Sequence, residues 1–167
     1  MFADSTRQPA APHRELTGRP KAAGAWRVRL RGGAVLCAVL GAAAVLASLT
    51  PSPDGFGTHQ QLGGAYCSYL ARTGYPCPTC GVTTSMAWSV RGRLFRAWNA
   101  HPLGVLLTAA LAALGAAGGF ELATGRAVLR ASRRALVLAA ILFVVGMLGG
   151  WAWKVAAGRM DGSLPLR

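Results

Sequence analysis

Three uncharged stretches of 19 residues constrain the fold of this chain more than any other feature. They run from Gly32 to Thr50, from Pro102 to Phe120 and from Ala135 to Trp153. A helix needs about 20 apolar residues to cross a hydrocarbon core roughly 30 Å thick. Because lipid offers no partners to open backbone N–H and C=O groups, such stretches fold as helices. The sequence therefore predicts an all-α membrane protein with three transmembrane helices.

The composition agrees with this fold class. Apolar residues make up 53% of the 167 residues and charged residues only 14%, values that are unlike those of a soluble domain. A soluble bundle of helices that are apolar on every side would expose too much apolar surface for so short a chain. The predicted divisions are a disordered basic arm (1–31), the first span (32–50), a long loop (51–101), the second span (102–123), a basic loop (124–134), the third span (135–153) and a tail (154–167).

The distribution of the basic residues predicts the topology. Of the 18 Lys and Arg residues, seven precede the first span and four lie in the 124–134 loop, which shares a side with the arm. The long loop carries four and the tail three. The excess of basic residues on one side favours a cytoplasmic N-terminus in a cell (inner) membrane. The long loop would then be extracytoplasmic.

The net charge of +13 raises the question of a nucleic-acid partner. The arm has no aromatic residues interleaved with its charges and no nucleic-acid-binding motif, so no such partner is expected. A basic segment beside a span more often lies on anionic lipid headgroups. Within the spans, the pairs Gly115/Gly119 and Gly146/Gly150 predict close helix packing inside the chain. A homo-oligomer or contact with another membrane protein is the alternative.

The long loop holds three of the four cysteines, at Cys67, Cys77 and Cys80. Prolines on both sides of Cys77 predict extended backbone there, because proline fixes its own φ and keeps the preceding residue out of the α region. Gly81 permits a sharp reversal, after which residues 82–88 are predicted to be helical. Cys80 would thus precede a helix N-terminus, where the helix dipole favours a thiolate and lowers its pKa.

Beyond the cysteines, the long loop has an amphipathic pattern. Trp88, Arg91, Phe95 and Trp98 are spaced three or four residues apart, which predicts a short interfacial helix kinked near Gly92. Anionic lipid headgroups are the expected ligands of its basic residues. These are Arg91, Arg93 and Arg96.

The residues around the cysteines form a longer pattern, Cys67…Leu70-Ala71-Arg72-Thr73-Gly74-Tyr75-Pro76-Cys77-Pro78-Thr79-Cys80-Gly81-Val82-Thr83, followed by Arg91-Gly92 and His101-Pro102-Leu103. This pattern resembles a family of small bacterial membrane proteins, domain of unknown function 2752, which has a C-P-x-C-G-x-T-R core. Two positions depart from it: Thr84 stands where the family usually has arginine, and Arg93 where it often has aspartate. The resemblance covers about residues 60–110. It implies the architecture and no known activity.

Three interpretations of the thiols remain open. The cysteines can form a structural staple, since a cysteine pair in a small extracytoplasmic loop is most often structural. They can hold zinc, with Cys67, Cys77 and Cys80 completed by His101 or His59. They can also form a redox site, with Cys77 and Cys80 as the dithiol and Cys67 as a resolving thiol.

Other catalytic chemistry lacks candidate residues. The chain has no Ser-His-Asp order, phosphate-binding loop or H-E-x-x-H motif, and its five acidic residues leave little for acid–base work. We therefore expect a non-enzymatic accessory or interaction protein in the membrane, whose cysteine loop is stabilised by thiol or metal chemistry. The alternative is a membrane thiol-disulfide oxidoreductase.

Overall fold

The computed structural model describes residues 22–130, 132–160, 162 and 164. Across these residues the chain is helical and contains no strand. The helices are α1 (Ala22–Ser48), a short 3-10 helix (Thr58–Leu62), α2 (Ser68–Thr73), α3 (Val82–Ser89), α4 (Leu94–Ala100), α5 (Pro102–Thr124) and α6 (Arg133–Met160). Helices α1, α5 and α6 are long and apolar enough to cross a membrane. This confirms the predicted fold class.

Two of the long helices extend beyond the predicted spans. Helix α1 begins at Ala22, so residues 22–31 are helical, whereas the sequence assigned them to a disordered arm. The three arginines in that segment are good helix formers and continue the helix beyond its apolar part. Residues 154–160, assigned to the tail, likewise continue α6. The remainder of the predicted arm, 1–21, lies outside the described residues.

Helices α1 and α5 pack closely along most of their length. Gly32 lies opposite Gly118, and Val39 lies opposite Gly115, so the two helices are antiparallel. A Cβ atom on Gly32 would lie 2.6 Å from the Gly118 carbonyl oxygen, an approach that only glycine allows. The small residues of the second span therefore face α1 of the same chain.

A buried carboxylate near the C-terminal end of α5 joins this helix to α1. Glu121 on α5 is fully buried and accepts hydrogen bonds from the Arg31 guanidinium of α1 at 2.6 and 3.1 Å. The Oε1 atom of Glu121 also accepts the backbone N–H groups of Val128 and Leu129 at 2.7 Å. One side chain thus joins α1, α5 and the segment that leads to α6.

The predicted interfacial segment forms two short helices, α3 and α4. Gly92 lies between them with a φ of +71°, a left-handed conformation that ends α3. The Arg91 guanidinium donates to the backbone carbonyls of Ala47 and Leu49, at the C-terminal end of α1. Arg93 and Arg96 instead lie over the Trp88 ring, 5.6 and 5.1 Å from its centroid. The three arginines expected to share one lipid-binding role are therefore divided between two positions.

Helix α6 contacts both the long loop and the start of α5. The Trp151 indole donates to the Pro76 carbonyl at 2.8 Å, and the Lys154 ammonium donates to the carbonyls of Gly55 and Ala100 at 3.1 Å. Gly146 and Gly150 face Leu103 and His101 on the neighbouring chain segment. These contacts hold α6 against the loop that carries the cysteines.

Candidate thiol site

A tight turn positions the two cysteines of the C-x-x-C sequence. The Cys80 N–H donates to the Cys77 carbonyl at 3.0 Å, and the Val82 N–H donates to the Thr79 carbonyl at 3.3 Å. Gly81 follows with a φ of +98°, and α3 begins at the next residue. A Cβ atom at this position would lie 2.6 Å from the Ala100 carbonyl oxygen, so glycine is required for both conformation and space.

The third thiol enters from the segment before α2. Cys67 precedes this helix in extended conformation, and its carbonyl accepts the Ala71 N–H at 3.0 Å. Gly74, in the left-handed conformation, ends the helix and returns the chain towards Pro76. Helix α2 and the turn at Gly74 bring Cys67 back to the cysteine turn.

The three sulfur atoms form one cluster. The Sγ atoms of Cys67, Cys77 and Cys80 all lie within 4.8 Å of one another, and those of Cys77 and Cys80 are 3.1 Å apart. Zinc–sulfur bonds of about 2.3 Å in tetrahedral geometry place ligand sulfurs roughly 3.8 Å apart. The cluster therefore has the dimensions of a three-thiolate metal site with small adjustments. Each cysteine is free, so the same atoms also suit thiol exchange.

The two thiols of the turn differ in acidity. Burial raises the pKa of Cys77, but hydrogen bonds with Thr79 and Cys80 lower it by more, to about 7. For Cys80, burial and the hydrogen bonds with Cys77 and Cys67 raise the pKa to about 12. The expectation that the helix N-terminus would acidify Cys80 is wrong, because burial and the neighbouring sulfurs dominate at this position. The acidic thiol is Cys77.

His101, predicted as a fourth metal ligand, has a different position. The residue is 1% exposed and lies outside the three-sulfur cluster. The Nδ1 atom accepts the Leu103 N–H at 3.2 Å, so His101 caps the N-terminus of α5. The proton is then on Nε2, which faces the Pro78 carbonyl at 3.2 Å. His101 therefore holds the cysteine turn against α5, and burial lowers its pKa below the usual value.

His59, the other histidine considered as a ligand, lines a cavity of 480 Å³ beside the thiols, which the three cysteines also line. Its Nε2 atom is 3.0 Å from the Ala65 carbonyl oxygen. His59 does not belong to the three-sulfur cluster. Among the described residues, the cluster therefore supplies three metal ligands, and all three are cysteine sulfurs.

Two residues that contribute to the site were not identified from the sequence. The Thr79 hydroxyl is 3.3 Å from the Cys77 sulfur, inside the motif that carries the thiols. The Lys154 ammonium lies near Gly81 and interacts electrostatically with Cys77 and Cys80, although it comes from the distant helix α6. No local pattern indicates Lys154. A polar residue before Pro102 is, by contrast, a recognisable helix-cap signal for the role of His101.

The comparison with known proteins agrees with the sequence pattern. Residues 67–115 match the model of a family described as Protein of unknown function (DUF2752). The matched segment begins at Cys67 and contains the cysteine turn, His101 and the first part of α5. No curated protein and no solved structure matches the chain.

Proposed function

We propose that this chain is a non-enzymatic membrane accessory protein whose loop binds a metal ion. The family model that residues 67–115 match carries no known function. The ligands are Cys67, Cys77 and Cys80, and zinc is the expected ion. The long loop is assigned to the extracytoplasmic side and the N-terminus to the cytoplasm, from the distribution of basic residues.

The observation that carries this proposal is that the three cysteine sulfurs all lie within 4.8 Å of one another. A staple needs only two cysteines, whereas Cys67 reaches the pair from ten residues upstream. Thiolates are the ligands that zinc and other soft ions prefer. Three thiolates around Zn²⁺ carry a net negative charge, which the ammonium of Lys154 is placed to offset.

Metal analysis of the purified protein tests the proposal. We expect about one zinc ion per chain, and Cys80→Ser should remove it, because loss of one ligand usually destroys a zinc site. Cys37→Ser is the matched control, since Cys37 lies on α1, away from the cluster. It should keep the zinc content of the unaltered protein. Metal-free protein with three reduced loop thiols would contradict the proposal.

A second candidate, thiol-disulfide exchange, is supported by the unequal acidity of the pair. Cys77 is the more acidic and more accessible thiol, and Cys80 is buried beside it. The Cys77 thiolate would attack a substrate disulfide and form a mixed disulfide. The Cys80 sulfur would then attack Cys77, which releases the substrate as a dithiol and leaves the protein pair oxidised.

A glutathione series tests the exchange candidate against a structural disulfide. An exchange enzyme has a reduction potential near that of its compartment, whereas a structural disulfide lies below about −300 mV. Free thiols counted by mass shift after alkylation, with chelator present, give the potential of the pair. A midpoint in the range of known exchange enzymes supports the oxidoreductase. A pair that stays oxidised throughout the series removes this candidate.

A further inference from the structure

The cavity beside the thiols continues from the loop into the membrane-spanning helices. Its volume is 480 Å³, within the range of small-molecule sites. All three clustered cysteines line it. Its lining also includes Leu103 and Leu107 of α5 and Phe143 and Met147 of α6.

The lining residues show in which direction the cavity extends. Leu103 and Leu107 lie one turn apart on α5, and Phe143 and Met147 lie one turn apart on α6. All four belong to helices long and apolar enough to cross a membrane. The cavity therefore has a polar end at the loop and an apolar end between two spans.

The metal centre would face this cavity with an incomplete ligand set. Three cysteines supply three ligands, and zinc prefers four. Both ring nitrogens of His101 are already engaged, by Leu103 and Pro78, and His59 lines the cavity without belonging to the three-sulfur cluster. A site with three protein ligands and one open position is the arrangement that accepts an external ligand.

We infer that the cavity binds an amphiphile whose head group completes the coordination of the metal ion. This inference rests on the proposed metal centre and assigns it a ligand class. The head carries a sulfur or oxygen atom able to bind the ion at the thiol end. A single hydrocarbon chain lies between α5 and α6 against Leu107, Phe143 and Met147. Partition into the membrane raises the local concentration of such a chain, and packing against the lining adds affinity that a head group alone lacks.

Cobalt substitution provides the test. Protein in lipid nanodiscs is loaded with Co²⁺, whose absorption bands report the ligands around the ion. We then add 2-mercaptoethanol or 1-octanethiol, which share a head group and differ in their hydrocarbon chain. Octanethiol should change the Co²⁺ spectrum at a much lower concentration than mercaptoethanol. Equal potency of the two thiols, or loss of Co²⁺ on addition of either, would overturn the inference.

Two leucines on α5 separate cavity binding from simple partition into lipid. Leu107→Trp places a large ring in the cavity. Leu106→Trp introduces the same ring at a position that is 56% exposed and does not line the cavity. Leu107→Trp should weaken the octanethiol response roughly tenfold, because the ring occupies the space of the hydrocarbon chain and removes its packing contacts. Leu106→Trp and the mercaptoethanol response should stay unchanged. Equal octanethiol responses in the two variants would contradict cavity binding.

Further variants cover the remaining outcomes. If Leu107→Trp fails to bind Co²⁺, Phe143→Ala, which shortens the apolar lining, replaces it and should weaken octanethiol binding alone. Met147→Leu keeps the lining apolar and removes a thioether. If Met147→Leu alters the Co²⁺ spectrum before any thiol is added, the protein's own Met147 fills the fourth coordination position and the inference is overturned. If neither the unaltered protein nor any variant binds Co²⁺, the proposed metal centre is wrong, and the inference fails with it.

Discussion

At the scale of single residues, two cysteines in one turn acquire different chemistry from their surroundings. Cys77 forms a hydrogen bond with Thr79, whereas Cys80 is buried. A hydrogen bond to a thiolate favours the charged form, and burial disfavours it. At neutral pH, we therefore expect Cys77 to be the more reactive thiol of the pair in the metal-free protein.

The alkylation rate of Cys77 should reflect this acidity. In metal-free protein, the iodoacetamide rate should rise with pH and reach half its maximum near pH 7, because the pKa of Cys77 is about 7. Thr79→Val should move this midpoint to higher pH, since it removes a hydrogen bond that lowers the pKa. Thr83→Val alters a threonine of the same cavity and should leave the midpoint in place. Peptide mass spectrometry identifies the alkylated cysteine. Faster reaction at Cys80 than at Cys77 would contradict the assignment.

At the scale of secondary-structure elements, the start of α5 determines how the thiol loop lies on the spans. Pro102 occupies the first turn of α5, and the imidazole of His101 caps the helix. The Ser85 hydroxyl of α3 donates to the His101 carbonyl at 2.7 Å. One histidine thus connects the cysteine turn, α3 and the second span.

The stability of the folded protein should depend on the protonation of His101. Burial lowers the folded-state pKa of His101 below its ordinary value of 6.5. The unfolded chain therefore binds the proton more readily, and stability is lost as the pH falls below about 6.5. His101→Ala should lower stability by about 1 kcal/mol through loss of the helix cap.

Thermal unfolding in detergent at several pH values provides the measurement. His101→Asn keeps a side-chain acceptor for the cap but lacks a titrating ring, so its stability should depend less on pH below 6.5. His59→Asn, in which the other described histidine is replaced, should retain the pH dependence of the unaltered protein. An identical pH profile in His101→Asn and the unaltered protein would assign the dependence to another group.

At the scale of the whole molecule, the chain has two polar ends joined by an apolar middle. Glu121 and Arg31 tie the spans at one end, and the thiol loop covers the other. The excess of basic residues lies on the side of Arg31. Such residues are retained in the cytoplasm, so the two ends are expected to face different compartments.

Labelling in cells tests this orientation. Cells are first treated with chelator and reductant, with the outer envelope permeabilised and the inner membrane intact. A membrane-impermeant maleimide should then modify Cys77. Cys77→Ser should remove this modification, and Cys37→Ser should not, because Cys37 lies within a span. Modification that appears only after cell lysis would reverse the topology. It would also weaken the case for disulfide chemistry, which needs an oxidising compartment.

The three spans and the cysteine turn follow from the sequence alone. Long apolar stretches have one stable form in lipid, and the prolines and Gly81 around the cysteines restrict the backbone locally. Both effects act over short distances along the chain, so they are visible in local patterns. Cys67, Cys77 and Cys80 could be nominated as one site for the same reason, since they share a single loop.

Only the tertiary structure decided what surrounds these thiols. It placed Lys154 and Met147 of α6 near residues that lie more than 60 positions earlier in the sequence. It also assigned His101 to a helix cap and reversed the expected acidity of Cys80. A pKa depends on burial and on every neighbouring charge, and a cavity depends on how separate helices meet. Neither quantity is a property of a short segment, so the packing of α5, α6 and the loop determined both.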